Sequence, residues 1–509
     1  VISQYPIWEE MQMPAWTTPD PVALHAETQP ERLACVDLAS GRRWTYGRFD
    51  EAIQRAVAVL ESGYGIEPGQ RIATAARNSV DLLILQQAAM RLGAVFVPAN
   101  WRLAAPEQQA ILADCDPALL LHDTAFELAP PEGCVPVEIA AFAAAVDAQA
   151  PAPRRPLPPA DHPSIILYTS GTSGRPKGVI ITEANAFATA VNFGVLGRVG
   201  NSSVFLCDAP MFHVIGLITS LRPPLLQGGT VLISPGFEAG LTNRRLADPD
   251  LGVTHYFCVP QMAKMLREDA AFSPANWTTL TAIFTGGAPN PAADILWWLE
   301  QGVRMVDGFG MTEAGTVLGM PVEAGQIARK AGSAGLPAPS LCLRIVDEDG
   351  HDAAAGEAGE IWLSGPNVTP GYWNRPDATA QAFTSDGWFR TGDIARRDED
   401  GFVTLVDRRK DMFISGGENV YPAEVEMALL AHPDIAEAAV IGIADERWGE
   451  VGRAFVVLKA GCVLDPAALA AHCAARIARY KVPKEFLLTD ALPRTASGKI
   501  QKHILRGCR

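Results

Sequence analysis

From Arg71 onward the sequence alternates short apolar runs with longer amphipathic stretches, the pattern of βα units laid against a sheet. Arg71–Ala75 reads as a strand, Ser79 as the cap of a helix over 81–92 that Gly93 ends, and 94–97 as the next strand. Serine offers a side-chain acceptor to the free N–H groups of a first helical turn, and glycine takes the left-handed conformation of a helix exit. A second helix over 106–114 and a strand over 118–121 repeat the unit. Residues 151–163 hold six prolines and two arginines and read as a connector, which can mark a domain boundary or cross one domain's surface. Residues 164–168 form a short apolar strand running into a glycine-rich loop, and 341–346 and 359–363 are strands of a β-rich section. Beyond that, a helix from Pro422, strands over 438–443 and 454–458, and a helix over 466–479 make a compact α+β pattern. At 509 residues the chain exceeds the roughly 250–300 residues that one hydrophobic core serves. The expected fold is a multi-subdomain α/β N-terminal region over 1–409 and a small α+β domain over 410–509, divided at the charge cluster 407–411.

Composition narrows the function. A formal net charge of −15 argues against a broad nucleic-acid surface, since a phosphate backbone is bound chiefly through excess lysine and arginine. No apolar run approaches the roughly 20 residues of a membrane span, and no charged start followed by an apolar core marks a secretion signal, so a cytoplasmic protein is expected. The nine cysteines are scattered and odd in number and contain no C-x-x-C pair, which reads as reduced thiols without a zinc site or disulfide framework.

The strongest local signal is Tyr168-Thr169-Ser170-Gly171-Thr172-Ser173-Gly174-Arg175-Pro176-Lys177-Gly178. Its small hydroxyl residues and glycines let backbone N–H groups and Oγ atoms approach phosphate oxygens, and Arg175 and Lys177 add positive charge. It is not a Walker A loop, because Lys177 is followed by Gly178 where Ser or Thr is required.

This loop resembles the phosphate-binding signature of the adenylate-forming superfamily of acyl-CoA synthetases, adenylation domains and luciferases. Further matches occur in that family's order and spacing: Met211-Phe212-His213, Thr285-Gly286-Gly287-Ala288-Pro289, Gly308-Phe309-Gly310-Met311-Thr312-Glu313, Gly359-Glu360-Ile361, Trp388-Phe389-Arg390-Thr391-Gly392-Asp393, Asp407-Arg408-Arg409-Lys410-Asp411, the stretch from Ser415-Gly416-Gly417 to Glu424, and Pro493-Arg494-Thr495-Ala496-Ser497-Gly498-Lys499. Together they run from about residue 40 to the end of the sequence.

The resemblance implies roles for these positions. Glu313, at the end of a Gly-Phe-Gly-Met-Thr-Glu loop, is similar to the family's magnesium ligand, with Thr169 and Thr172 beside the phosphates and Thr169 also near the metal. Gly286, Gly287, Ala288 and Pro289 resemble one wall of an adenine clasp, and Asp307, Gly308, Phe309, Gly310, Met311 and Thr312 lie along the other. Phe309 stands where the family more often has tyrosine, which keeps stacking but loses a phenol hydrogen bond. Asp393 and Arg408 match the positions that hold the ribose hydroxyls. Lys410 matches the hinge about which the small domain turns. His213 resembles a residue between the acyl pocket and the pantetheine tunnel, Gly416 and Gly417 resemble the tunnel lining, and Lys499 matches the lysine that reaches between the acid and the α-phosphate.

The resemblance thus implies an acid:coenzyme A ligase that uses ATP, Mg2+ and coenzyme A and forms an acyl-AMP intermediate. Its closest resemblance is to bacterial fatty acyl-CoA and hydroxycinnamoyl-CoA synthetases. The expected partner is a small carboxylic acid, medium-to-long aliphatic or aryl, because 214–217 and 256–259 are largely apolar. Pocket residues are expected near His213, over 256–260 and over 310–318. Alternative readings are an enzyme delivering the acyl group to a carrier protein, a luciferase-like oxygenase, and a non-catalytic nucleotide- or acyl-binding relative.

Overall fold

A computed structural model of the chain describes residues 17–123, 130–169, 176–288, 290–408, 411–415, 418–445, 448–463, 465–477, 479–494 and 500–507. Among them lie four sheets. The first is six-stranded and mostly parallel: Arg71–Ala75 pairs in parallel with Val95–Pro98 on one side and Leu119–His122 on the other, and Pro163–Thr169 runs beside Val95–Pro98. The second has nine strands around a parallel centre, in which His255–Cys258 lies between Val204–Cys207 and Ala282–Thr285, with Met305–Met311 next to the latter.

The helix Val80–Leu92 shows why the two sheets form one body. Twelve of its thirteen residues are buried, and it touches strands of both sheets. A helix that is buried on every side needs apolar residues all round, and Leu82-Leu83-Ile84-Leu85 supplies them. Its ends are as expected: Ser79 accepts a hydrogen bond from the Leu82 N–H at 3.2 Å, a contact worth about 1 kcal/mol, and Gly93 closes it at φ +80°.

The proline-rich stretch crosses the surface of one body. Arg154 pairs with Asp50 and Glu27, Arg155 pairs with Glu61, and the Ala152 N–H donates to the Gln54 carbonyl at 3.1 Å. Next comes a four-stranded antiparallel sheet, Cys342–Val346, Ala358–Ser364, Phe389–Arg397 and Val403–Arg408. The last sheet belongs to the C-terminal region, where Ile435–Asp445 and Gly449–Leu458 form a long antiparallel pair. It encloses its own apolar core of Phe413, Val420, Val425, Leu429, Val440, Val456 and Leu469, so it is packed as a separate small α+β unit. No helix among the described residues is long and apolar enough to cross a membrane.

Two sequence expectations are corrected. The helix over 466–479 ends at Ala474, and a short 3-10 turn over Arg479–Lys481 comes after it. The Gly-Phe-Gly-Met-Thr-Glu stretch is a loop only at its end: Met305–Met311 is one continuous strand, and Thr312 and Glu313 lie in the turn 312–314 that folds it back onto the strand Gly315–Gly319. Glycine permits this hairpin, because a Cβ on Gly310 would lie 2.3 Å from the Gly315 carbonyl oxygen.

Candidate functional site

In an open parallel sheet, ligands settle outside the carboxyl ends of the strands. The nine-stranded sheet brings four of the expected segments to that edge. His213 comes after Val204–Cys207, residues 259–260 after His255–Cys258, and Gly286-Gly287-Ala288 after Ala282–Thr285, while Gly308–Met311 extends the neighbouring strand. A Cβ on Gly286 would lie 3.2 Å from the Gly308 carbonyl oxygen, so the two glycine-bearing segments approach backbone to backbone. A Cβ on Gly287 would stand 3.9 Å from both Ile215 Cδ1 and Val259 Cγ1. The apolar segments therefore meet the glycine wall.

Asp307 sits under that wall and is buried. The Thr285 hydroxyl donates to its Oδ1 at 3.0 Å, and Asn290 Nδ2 donates to Thr285 Oγ1 at 3.1 Å. Burial pushes the Asp307 carboxyl up to about 7. Phe309 and Met311 rest against the apolar core of the four-stranded sheet, beside Leu318 and Phe389. On that sheet Asp393 and Arg408 face each other across adjacent strands, which juxtaposes two residues fifteen positions apart in sequence. The Asp393 carboxylate group is buried, and the Arg408 side chain lies outside the described residues.

Glu313, in the middle of the hairpin turn, accepts a hydrogen bond from the Tyr372 hydroxyl at 3.0 Å. Lys177 Nζ stands 5.2 Å from the centre of the Tyr372 ring, and Lys177 is the cross-strand neighbour of Thr169. Lys177 and Glu313 are thus gathered around Tyr372, and Thr169 lies across the strand pair from Lys177. The sequence reading missed Tyr372, whose signal was an aromatic residue directly after the Pro370-Gly371 dipeptide. The backbone explains its placement, since Tyr372 bridges Val179 and the Trp373 N–H donates to the Gly178 carbonyl at 2.7 Å. Tyr372→Phe is expected to weaken Mg·ATP binding by about tenfold or more, since one hydrogen bond to a charged group contributes about 1.5–3 kcal/mol, with the fold unchanged. The Km for ATP at fixed magnesium checks it, and an unchanged value would mean that Tyr372 does not position Glu313.

His213 packs on Phe212, with ring centres 4.7 Å apart, and its buried Nε2 has no hydrogen-bond partner among the described residues. Burial, followed by the charge of Arg102, pushes the imidazole down to about 4, so it is a neutral ring at physiological pH. One pocket expectation fails. Tyr256 is fully buried and lies against Asp208 within the core, because strand alternation sends it to the face opposite Phe257. Ser170, Gly171, Thr172, Ser173, Gly174, Pro289, Lys410, Gly416, Gly417 and Lys499 lie outside the described residues.

The chain is 38% identical over 483 residues to an indoleacetate–CoA ligase of Aromatoleum aromaticum, covering 91% of this chain and 93% of that protein. It is 39% identical over 476 residues to a feruloyl-CoA synthase of Amycolatopsis, covering 92% and 94% respectively. Its fold matches the o-succinylbenzoate coenzyme A synthetase of Bacillus subtilis in complex with ATP and magnesium ion, with a TM-score of 0.85, 30% identity and coverage of 96% and 99%. Because the AMP-binding enzyme pattern matches residues 22–373 and the pattern of the AMP-binding enzyme C-terminal domain matches 424–499, the chain belongs to the family of AMP-binding enzymes.

Proposed function

We propose that the protein is an AMP-forming acid:coenzyme A ligase for an apolar carboxylic acid, aryl or medium-to-long aliphatic. The observation that carries the proposal is the meeting of the glycine wall at Gly286–Gly287 with the apolar side chains of Ile215 and Val259. A nucleotide site and an acyl site then share one edge of the sheet, so the acid carboxylate and the α-phosphate can be held in contact. Holding two reactants in line removes much of the entropic barrier to their reaction.

In the first step a carboxylate oxygen attacks the α-phosphorus of ATP and pyrophosphate leaves, giving acyl-AMP. In the second, the coenzyme A sulfur attacks the acyl carbon and AMP leaves. The glycine walls and Asp307 hold the adenine end, Asp393 and Arg408 the ribose, and the 169–177 loop the phosphates. Oxygen donors suit magnesium, and Glu313 with Thr169 provides them beside Lys177. A magnesium ion held there would neutralise charge on the phosphate oxygens. His213, neutral and half-buried, positions the acyl group rather than carrying a proton.

Residues 1–409 act as the nucleotide and acyl body, and 410–509 as a small domain turning at Lys410. One orientation brings Lys499 to the α-phosphate; the other brings Gly416 and Gly417 to line the path of the pantetheine arm. A cytoplasmic location, where ATP and coenzyme A are available, belongs to the same proposal.

The experiment is a screen of acetate, fatty acids, benzoates, arylacetates and cinnamates with ATP, magnesium and coenzyme A. Acyl-CoA, AMP and pyrophosphate are expected without any protein partner. Recovery of ADP and phosphate, or turnover confined to a dicarboxylate, would overturn the proposal.

A further inference from the structure

The register of the nine-stranded sheet layers side chains beneath the glycine wall. Residues two apart along a strand share a face and lie about 6.6 Å apart. Val259 and Gly286 stand at the carboxyl edge, beside Ile215. One layer below them, on the same face, come Phe257 and its cross-strand neighbour Phe284. A layer further down is His255, paired with Phe205.

These deeper positions are filled by rings. Phe193, from the helix Glu183–Leu196, lies 4.9 Å from Phe284, 6.0 Å from Phe257 and 6.1 Å from Phe205 between ring centres. His255 stacks between Phe205 and Phe284, at 4.5 and 5.5 Å, and is pinned by a 2.9 Å hydrogen bond between Nε2 and the Gly197 carbonyl. Phe193, Phe205, His255 and Phe284 are all buried. Phe257 alone among these five rings is half-buried, and its Cζ lies 3.5 Å from where a Cβ on Gly286 would be. It faces the space beneath the glycine wall.

The far side is closed as well. The strand Gly315–Gly319 presses on the Phe193 helix so closely that a Cβ on Gly319 would lie 3.0 Å from Leu196 Cδ1, and one on Gly315 would lie 2.2 Å from Thr189 Oγ1. No aliphatic chain fits between strand and helix at either position.

We infer that Phe257, backed by Phe193, is the floor of the acyl pocket and limits the protein to compact planar acids: an aromatic ring on a short linker, not a long alkyl chain. The inference rests on the acid:coenzyme A ligase reading and narrows its substrate class. A flat ring stacks on Phe257 edge or face, whereas a long chain would have to displace a packed cluster, and close-packed interiors yield little.

The test compares phenylacetate, cinnamate, dodecanoate and hexadecanoate as substrates of the wild type, Phe257→Ala and Phe257→Leu. In the wild type, kcat/Km for the aryl acids is expected to exceed that for hexadecanoate by at least about tenfold, on the scale of pocket discrimination. Phe257→Ala should shift that ratio about tenfold toward the alkanoates, chiefly through Km for the acid, and Phe257→Leu should shift it less. The Km for ATP should stay within about twofold, because the backbone of Gly286 and Gly287 follows the strand register and not the Phe257 ring; this readout separates a lost floor from a damaged fold. Wild-type preference for hexadecanoate, or a ratio unmoved by both substitutions, would overturn the floor and leave the ligase reading intact. Absence of AMP formation with every acid would overturn both.

Discussion

Alanine at position 499 is expected to slow acyl-AMP formation by about 10²–10³-fold, the usual cost of removing one preorganised contact to charge that builds in a transition state. Lys499 stands in Ser497-Gly498-Lys499, ten residues before the end of the sequence given. Its segment has no long apolar run to bury it, so as an ordinary surface lysine it would be dispensable. Its motif match supports a position for the ammonium between the acid and the α-phosphate as pyrophosphate departs. Because the small domain would turn before coenzyme A attacks, the mutant should still convert supplied acyl-AMP to acyl-CoA at near wild-type rate. Two assays on one purified mutant decide the matter, with circular dichroism confirming the fold. Unchanged adenylation would remove Lys499 from catalysis; joint failure of both steps would contradict the two-orientation mechanism.

Glu313→Gln is the second large effect. The substitution keeps shape and removes charge, so adenylation should fall on the order of 10²-fold and the magnesium concentration needed for half-maximal rate should rise. Calorimetric binding of ATP, with and without magnesium, gives a readout apart from turnover: affinity should drop only when magnesium is present. The backbone contact at this position, from the Thr369 N–H to the Glu313 carbonyl at 2.7 Å, is untouched by the change. An equal drop without magnesium would show that Glu313 acts by supporting Tyr372 instead.

Much of the fold could be read along the chain. The strand Arg71–Ala75, its neighbour helix with a serine cap and glycine exit, and the α+β character of the last hundred residues all stand as expected. Periodicity and capping are local properties, fixed by residues within a few positions of one another, and so they survive without knowledge of contacts. Exits that depend on packing do not: the helix from Pro466 stops at Ala474 although its sequence pattern continues. The hairpin at 312–314 was hidden because Gly-Phe-Gly-Met reads as a flexible loop, while backbone pairing with Gly315–Gly319 makes it a strand.

Which chemistry the chain can hold was already written in its residues. The ordered set of glycine-rich, acidic and basic motifs belongs to one family whatever their placement, because each motif carries its own donors and acceptors. Which distant residues stand together was settled only by folding. Asp393 met Arg408 through strand register, and Tyr372 met Glu313 and Lys177 through the bridge to Val179. Strand alternation then divided one apolar run, turning Tyr256 into the core and Phe257 toward the glycine wall. The hydrophobic effect favours burial of both rings without preferring a face; the register of neighbouring strands makes that choice, and no single stretch of sequence encodes it.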